Sequence, residues 1–147
     1  MKKRKNKKGF TLIELLLVMV ILAVLGAVIT PKFTKRSQQA KEVAAKTDIS
    51  NLEVALNSFE IDTGRYPTNT EGIGALFRPP ANVEDDWKGP YLERGIPKDP
   101  WGTEYMYRQP GQYNEFGYDL HSCGPDMVNG TEDDIKNWTE DKYNIAP

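Results

Sequence analysis

Apolar and polar positions divide the chain into three stretches of different period. From Phe10 to Ile29 twenty residues are almost all apolar, interrupted by one charge, Glu14. At 1.5 Å per helical residue they span about 30 Å, the hydrocarbon thickness of a bilayer. From Pro31 onward the pattern becomes periodic. Ala45, Ile49, Leu52, Leu56 and Phe59 recur at spacings of four, three, four and three, which predicts an amphipathic helix with one packed face. Lys41, Glu42, Lys46, Asp48, Glu53 and Glu60 fall on its wet side, and Gly64 supplies a stop after Thr63. Pro31 removes one backbone hydrogen bond and is expected to bend or break the helix locally. The two stretches together predict one long amino-terminal helix. Gly26, with Ala23 and Ala27, offers small surfaces for close helix approach.

The remainder is turn-rich and aromatic. Thr70–Leu76 predicts a short helix weakened by Gly72 and Gly74, stopped by Pro79-Pro80. Residues 81–100 have no clear period and read as a long ordered loop anchored by Trp87, Tyr91 and Leu92. Glu104–Arg108 and Glu115–Leu120 read as two strands around a turn containing Pro110 and Gly111, hence a small antiparallel sheet. A third strand has no pattern of its own. The fold class that follows is α+β.

Charge sharpens the first stretch. Nineteen Lys and Arg against 21 Asp and Glu give a net −2, yet six of the basic residues lie in the first eight positions. Placed directly before an apolar run, they hold the amino end in the cytoplasm and send the rest of the chain across the membrane. A cleaved secretory signal peptide is the alternative, with Ala23 to Ala27 supplying the small residues of its cleavage site. The length of the run and the presence of Glu14 oppose it. An ionisable group at a membrane helix centre costs about 2.5–3.5 kcal/mol, somewhat less near the end, so a charge kept there implies a partner. Length bounds the chain to one domain with a real core. The one cysteine, Cys123, excludes an intrachain disulfide, and the one histidine, His121, leaves Ser-His-Asp, Cys-His and multi-His zinc arrangements without partners. No phosphate-binding glycine loop is present, and the expectation is that the chain is not an enzyme.

Lys8-Gly9-Phe10-Thr11-Leu12-Ile13-Glu14-Leu15 resembles the leader of type IV pilins and pseudopilins. Asp62-Thr-Gly-Arg-Tyr-Pro-Thr68, Glu71-Gly72, Ala75-Leu76, Pro97-Lys-Asp-Pro-Trp-Gly102, Gly124-Pro-Asp126, Gly130-Thr-Glu-Asp-Asp-Ile135 and Asn137-Trp138 are similar, in that order, to the major pseudopilin family of type II secretion systems. The resemblance implies a pilin-like fold, with a long helix packed on the sheet. Residues 1–9 would be a leader removed after Gly9 by a prepilin peptidase that also methylates Phe10. Residues 10–30 would be a transmembrane and later filament-core helix, and residues 31–147 a periplasmic domain. It implies that Glu14 pairs with the amino terminus of a neighbouring copy as a register pin. The implied assembly is a helical homo-oligomer, the pseudopilus, with minor pseudopilins and an inner-membrane platform as further partners, no nucleic acid, and export of folded proteins as the task. Subunits of a type IV pilus or DNA-uptake pseudopilus, and a membrane-anchored binding module or hydrolase, are the alternatives.

Asp126, Asp133 and Asp134 fall within nine residues among glycine turns. By spacing alone they read as a solvated acidic turn, since the EF-hand register is absent. The family resemblance implies instead a structural Ca²⁺ held by these three side chains, with backbone oxygens of Cys123 and Val128 added. Removing the leader would leave thirteen basic against twenty-one acidic side chains, a mature net charge of −8.

Overall fold

The computed structural model describes residues 9–139, with the side chains of residues 27–34 left aside. Two compact units result, Met1–Gln38 and Gln39–Pro147. The first helix, α1, runs Leu12–Thr63 and continues through Pro31, so the proline does not break it. In the first unit its apolar residues are exposed all round, from 49% at Val18 and Ile21 to 83% at Leu12. No helix among the described residues presents an apolar stretch long enough to cross a membrane. The expected span of 10–30 includes residues 27–30, whose side chains lie outside the described ones, as do leader residues 1–8 and the tail from 140.

In the second unit the predicted stripe is the core. Ala45, Ile49, Leu52, Leu56 and Phe59 are each at most 4% exposed, and Ala55 joins them on the same face. The helix ends at Thr63, where Gly64 adopts φ +76°, the left-handed cap conformation a glycine supplies at least cost. Gly72–Leu76 forms a 3₁₀ turn that buries Ile73, Ala75 and Leu76. Its entry is a reciprocal cap spelled Thr68-Asn69-Thr70-Glu71: Glu71 N–H points at Thr68 Oγ1 (3.4 Å), while Thr68 N–H donates to Glu71 Oε2 (2.8 Å).

Three short strands make an antiparallel sheet in sequence order, β1 Met106–Arg108, β2 Asp119–Ser122 and β3 Ile135–Lys136. Tyr107 pairs with Leu120 and Ser122 with Ile135; Met106, His121 and Lys136 line up across the sheet in the alternate register. With period-two alternation, the two sets face opposite sides. Leu120 and Ile135 pack into the helix cluster, leaving the Met106–His121–Lys136 row outside.

The sheet and loops are fastened to α1 by aromatic side chains whose rings enter the core and whose polar tips reach acceptors. Tyr105 donates to Asp48 (2.9 Å), Tyr91 to Asp62 (2.9 Å), Tyr107 to the Pro67 carbonyl (2.8 Å) and Trp87 Nε1 to the Ala75 carbonyl (2.9 Å). Asp48 is thus half-buried rather than on a wet face. Residues 81–100 are irregular, as expected, and Trp87, Tyr91 and Leu92 anchor them against the core. The second strand begins at Asp119 rather than at Glu115, because residues 114–117 turn, with Gly117 N–H bonded to the Asn114 carbonyl (2.9 Å).

Candidate functional site: a capped helix start and an acidic loop

At the amino end, Thr11 precedes the first helical residue and Glu14 sits three positions on, which is the spacing of a capping box. Both halves are present: Glu14 N–H donates to Thr11 Oγ1 (3.3 Å) and Thr11 N–H to Glu14 Oε2 (3.3 Å). Glu14 is therefore held at the first turn, where the helix dipole also favours a negative charge. Its neighbours Gly9 and Phe10 precede the helix, and Phe10 is 81% exposed. The Thr-x-x-Glu spacing was legible in the sequence as a cap as well as a motif element.

At the other end, residues 123–134 form a loop between β2 and β3, built around Asp133. Gly124, at φ +66°, lies so close to the Asp133 carbonyl that a Cβ there would collide with it. Asp133 Oδ2 accepts the Asp126 N–H (3.1 Å) and Asp133 Oδ1 the Thr131 hydroxyl (2.6 Å), whose bond holds the carboxyl below its ordinary pKa. Asp126 Oδ1 accepts the Val128 N–H (2.8 Å), a two-residue Asx turn that carries the chain past Met127 at φ +58°. Asp134 Oδ2 accepts the Gly130 N–H (2.9 Å), while Asp134 Oδ1 is buried without a hydrogen-bond partner. The loop thus ties Asp126 to Asp133 directly and turns Asp134 toward Gly130. Among the described residues no group of three or more His, Cys, Asp and Glu side chains is arranged to hold a metal ion.

Cys123 enters the loop from β2 with its thiol buried. Burial first, then the carboxylates of Asp134, Asp99 and Asp126, push its pKa up, so it stays a thiol. The loop's inner end is fixed by a buried group that sequence reasoning did not single out. Asp99 accepts the Ser122 hydroxyl (2.6 Å) and the N–H groups of Trp101 (3.1 Å) and Thr103 (2.7 Å), joining the Pro97–Gly102 turn to β2. Asp119, 4% exposed, similarly gathers the N–H groups of Gln112, Tyr113 and Asn114 and closes the β1–β2 loop over itself. Each is a carboxylate that gathers several backbone donors of one turn, at consecutive residues for Asp119 and at Trp101 and Thr103 for Asp99. Only the turn conformation reveals that pairing.

Comparison with known proteins follows the same outline. Residues 32–138 match the family described as type II secretion system (T2SS), protein G, and residues 4–30 match the prokaryotic N-terminal methylation motif. The type II secretion system core protein G of Pectobacterium carotovorum subsp. carotovorum is 40% identical over 140 residues, covering 93% of this chain and 88% of that protein. The protein of the same name from Pseudomonas aeruginosa is 40% identical over 141 residues, with 92% and 97% covered. Among solved structures, the major pseudopilin from the type 2 secretion system of enterohaemorrhagic Escherichia coli superposes with a TM-score of 0.63 at 36% identity, over 71% of this chain and 87% of that one. These relatives are named as components of a secretion apparatus, not as enzymes. A capped apolar helix, a small sheet and an acidic carboxy-terminal loop, matched along nearly the whole sequence, place the chain in the type II secretion system protein G family.

Proposed function

We propose that this chain is the major structural subunit of a periplasmic pseudopilus, polymerising to drive folded proteins across the outer membrane. The observation that carries the reading is the exposed apolar surface of α1 from Leu12 to Leu25, half or more exposed at nearly every large side chain. A helix apolar on all sides needs cover from lipid or from other helices. The inner membrane supplies that cover before assembly and identical helices supply it afterwards. Cleavage after Gly9 and methylation of Phe10 by the prepilin peptidase would leave an ammonium on Phe10, the residue immediately before the capping box. Glu14 then pairs with that ammonium on a neighbouring copy, exchanging the Thr11 bonds for an ionic partner. Minor pseudopilins and an inner-membrane platform complete the set of partners.

The family resemblance also implies Ca²⁺ at the acidic loop. Asp134 Oδ1, an anionic oxygen buried without a donor, fits a hard cation better than it fits an empty loop. To hold the ion, Asp126, Asp133 and Asp134 would have to turn toward one another from the arrangement described above, with the carbonyls of Cys123 and Val128 joining them. When bound, Ca²⁺ supplies positive charge to a carboxylate cluster and oxygen coordination that closes the loop. The chain's own part is to pre-shape that loop through Gly124, the Asx turn at Asp126 and the Thr131 bond.

Deleting the gene and restoring it on a plasmid tests the reading. Secreted proteins should accumulate in the periplasm of the deletion strain and return to the medium on complementation. Normal export without the gene, combined with lost DNA uptake or adhesion, would assign the filament to another task.

A further inference from the structure

In the second unit, Val43, Val54 and Ile61 of α1 are 64%, 66% and 80% exposed. They stand eleven and seven residues apart, close to three and two whole turns at 3.6 residues per turn, and so form one row along the helix. The row runs down the side opposite buried Leu52 for about 27 Å, at 1.5 Å per residue. Thr47, Ser50 and Ser58 fill the places between, and no charge interrupts it. Its hydroxyls fold back on the helix: Thr47 donates to the Val43 carbonyl (2.9 Å) and Ser58 to the Val54 carbonyl (2.9 Å). The charges stand to the sides, Glu53 and Glu60 on one flank, with Asp48 and Asp62 on the other tied to Tyr105 and Tyr91. The outward face of a helix on a soluble unit is ordinarily its charged face. Here that face is uncharged and aliphatic, which marks a surface that another body covers.

Charge, size and a second unpartnered group identify the cover. A mature net charge of −8 makes copies of this chain repel one another, so their close approach requires surface that carries no charge. The row supplies it. A strip about 27 Å long and one helix wide, about 10 Å, offers about 270 Å², against about 800 Å² per partner in a stable complex. It therefore works only beside a partner already held by other contacts, which the Leu12 to Leu25 surface gives to a second copy. Phe116 is the group such a copy brings, because its ring is fully exposed on the β1–β2 loop. That loop is fixed by Asp119 and by the Gly111 N–H bonded to the Gly117 carbonyl (3.2 Å), so presenting the ring costs little ordering. The sheet that carries the loop packs on the buried side of α1, so the ring does not cover the row of its own chain. A ring of one copy on the row of the next is a heterologous contact, the kind that propagates along a polymer. We propose that the outward row of α1 is a docking surface for a second copy of this chain, whose Phe116 ring seats between Val54 and Ile61. The proposal rests on the filament reading and adds a contact to it.

The test crosslinks the full chain in the cells that assemble it. Asn57→Cys and Glu115→Cys place thiols beside the row and beside the ring at exposed positions, leaving Val54, Ile61 and Phe116 intact, while the native Cys123 thiol is buried. With a short bismaleimide, the double variant should give a ladder of multimers and each single variant only monomer. Phe116→Ser in the double variant should cut the crosslinked yield about tenfold, the loss expected when one ring is left unburied, with the melting temperature unchanged. Phe116→Leu should restore most of it. The proposal is overturned if electron microscopy shows filaments of the double variant and no ladder forms, or if Phe116→Ser crosslinks as well as its parent. Dimers from Asn57→Cys alone would equally overturn it, since they mean that two rows face each other. Absence of filaments from the unmodified chain would instead bring down the filament reading, and this contact with it.

Discussion

Arg65 and Glu71 form a two-pronged ion pair at the exit of α1, with N···O distances of 2.7 and 2.8 Å, and Glu71 caps Thr68 with the same carboxylate. The Arg65 bond, followed by the Thr68 bonds against an opposing desolvation, lowers the Glu71 pKa from 4.5 to about 2. A native pKa below the unfolded one makes the contribution fully present above pH 4.5 and lost as pH falls toward 2. At 1.36 kcal/mol per unit the shift corresponds to about 3 kcal/mol; with the Arg65 side chain 32% exposed, solvent screening reduces this to about 2 kcal/mol. Glu71→Gln removes the charge and keeps the shape. Urea unfolding of the mature chain should show it about 2 kcal/mol less stable than the parent at pH 7, with the gap nearly closed by pH 2. Comparing the two proteins at each pH cancels the titration of every other carboxylate. A gap that stays the same at pH 7 and pH 2, or one below about 0.5 kcal/mol at pH 7, would refute the assignment of this stability to the Glu71 charge.

Glu14→Ala should still insert in the membrane but fail to polymerise, and normal filaments seen by electron microscopy of that variant would remove Glu14 from its role. Complete removal of calcium by a chelator should lower the thermal midpoint, and Asp134→Asn should abolish that calcium dependence; an unchanged midpoint counts against the loop site. Gly124→Ala places a methyl group against the Asp133 carbonyl at positive φ, so a loss of about 2 kcal/mol or more is expected in denaturant unfolding. Asp119→Ala strands three backbone N–H groups in the β1–β2 loop and should cost about 2–4 kcal/mol, visible as faster amide exchange at Gln112, Tyr113 and Asn114.

The sequence by itself determined the helix, its stop and its buried stripe, because Ala45 to Phe59 repeat at the period of the helix they form and Gly64 supplies the conformation that ends it. It also determined the existence of a small antiparallel sheet and the assignment to a family, the latter through motifs spread over the length of the chain. Tertiary structure decided what local pattern could not encode. β3 is two residues long, too short to show a period, and exists because Ile135 pairs with Ser122 and enters the helix cluster. Asp48 looked solvated on a helical wheel and became half-buried because Tyr105, fifty-seven positions away, brings a hydroxyl to it. Asp99 and Asp119 are single carboxylates in turn-rich segments, and only folded turns align the N–H groups that make them structural centres. The same separation applies to His121 and Trp138. They are seventeen residues apart in sequence, and antiparallel pairing of β2 with β3 is what brings their rings edge to face with centroids 5.5 Å apart.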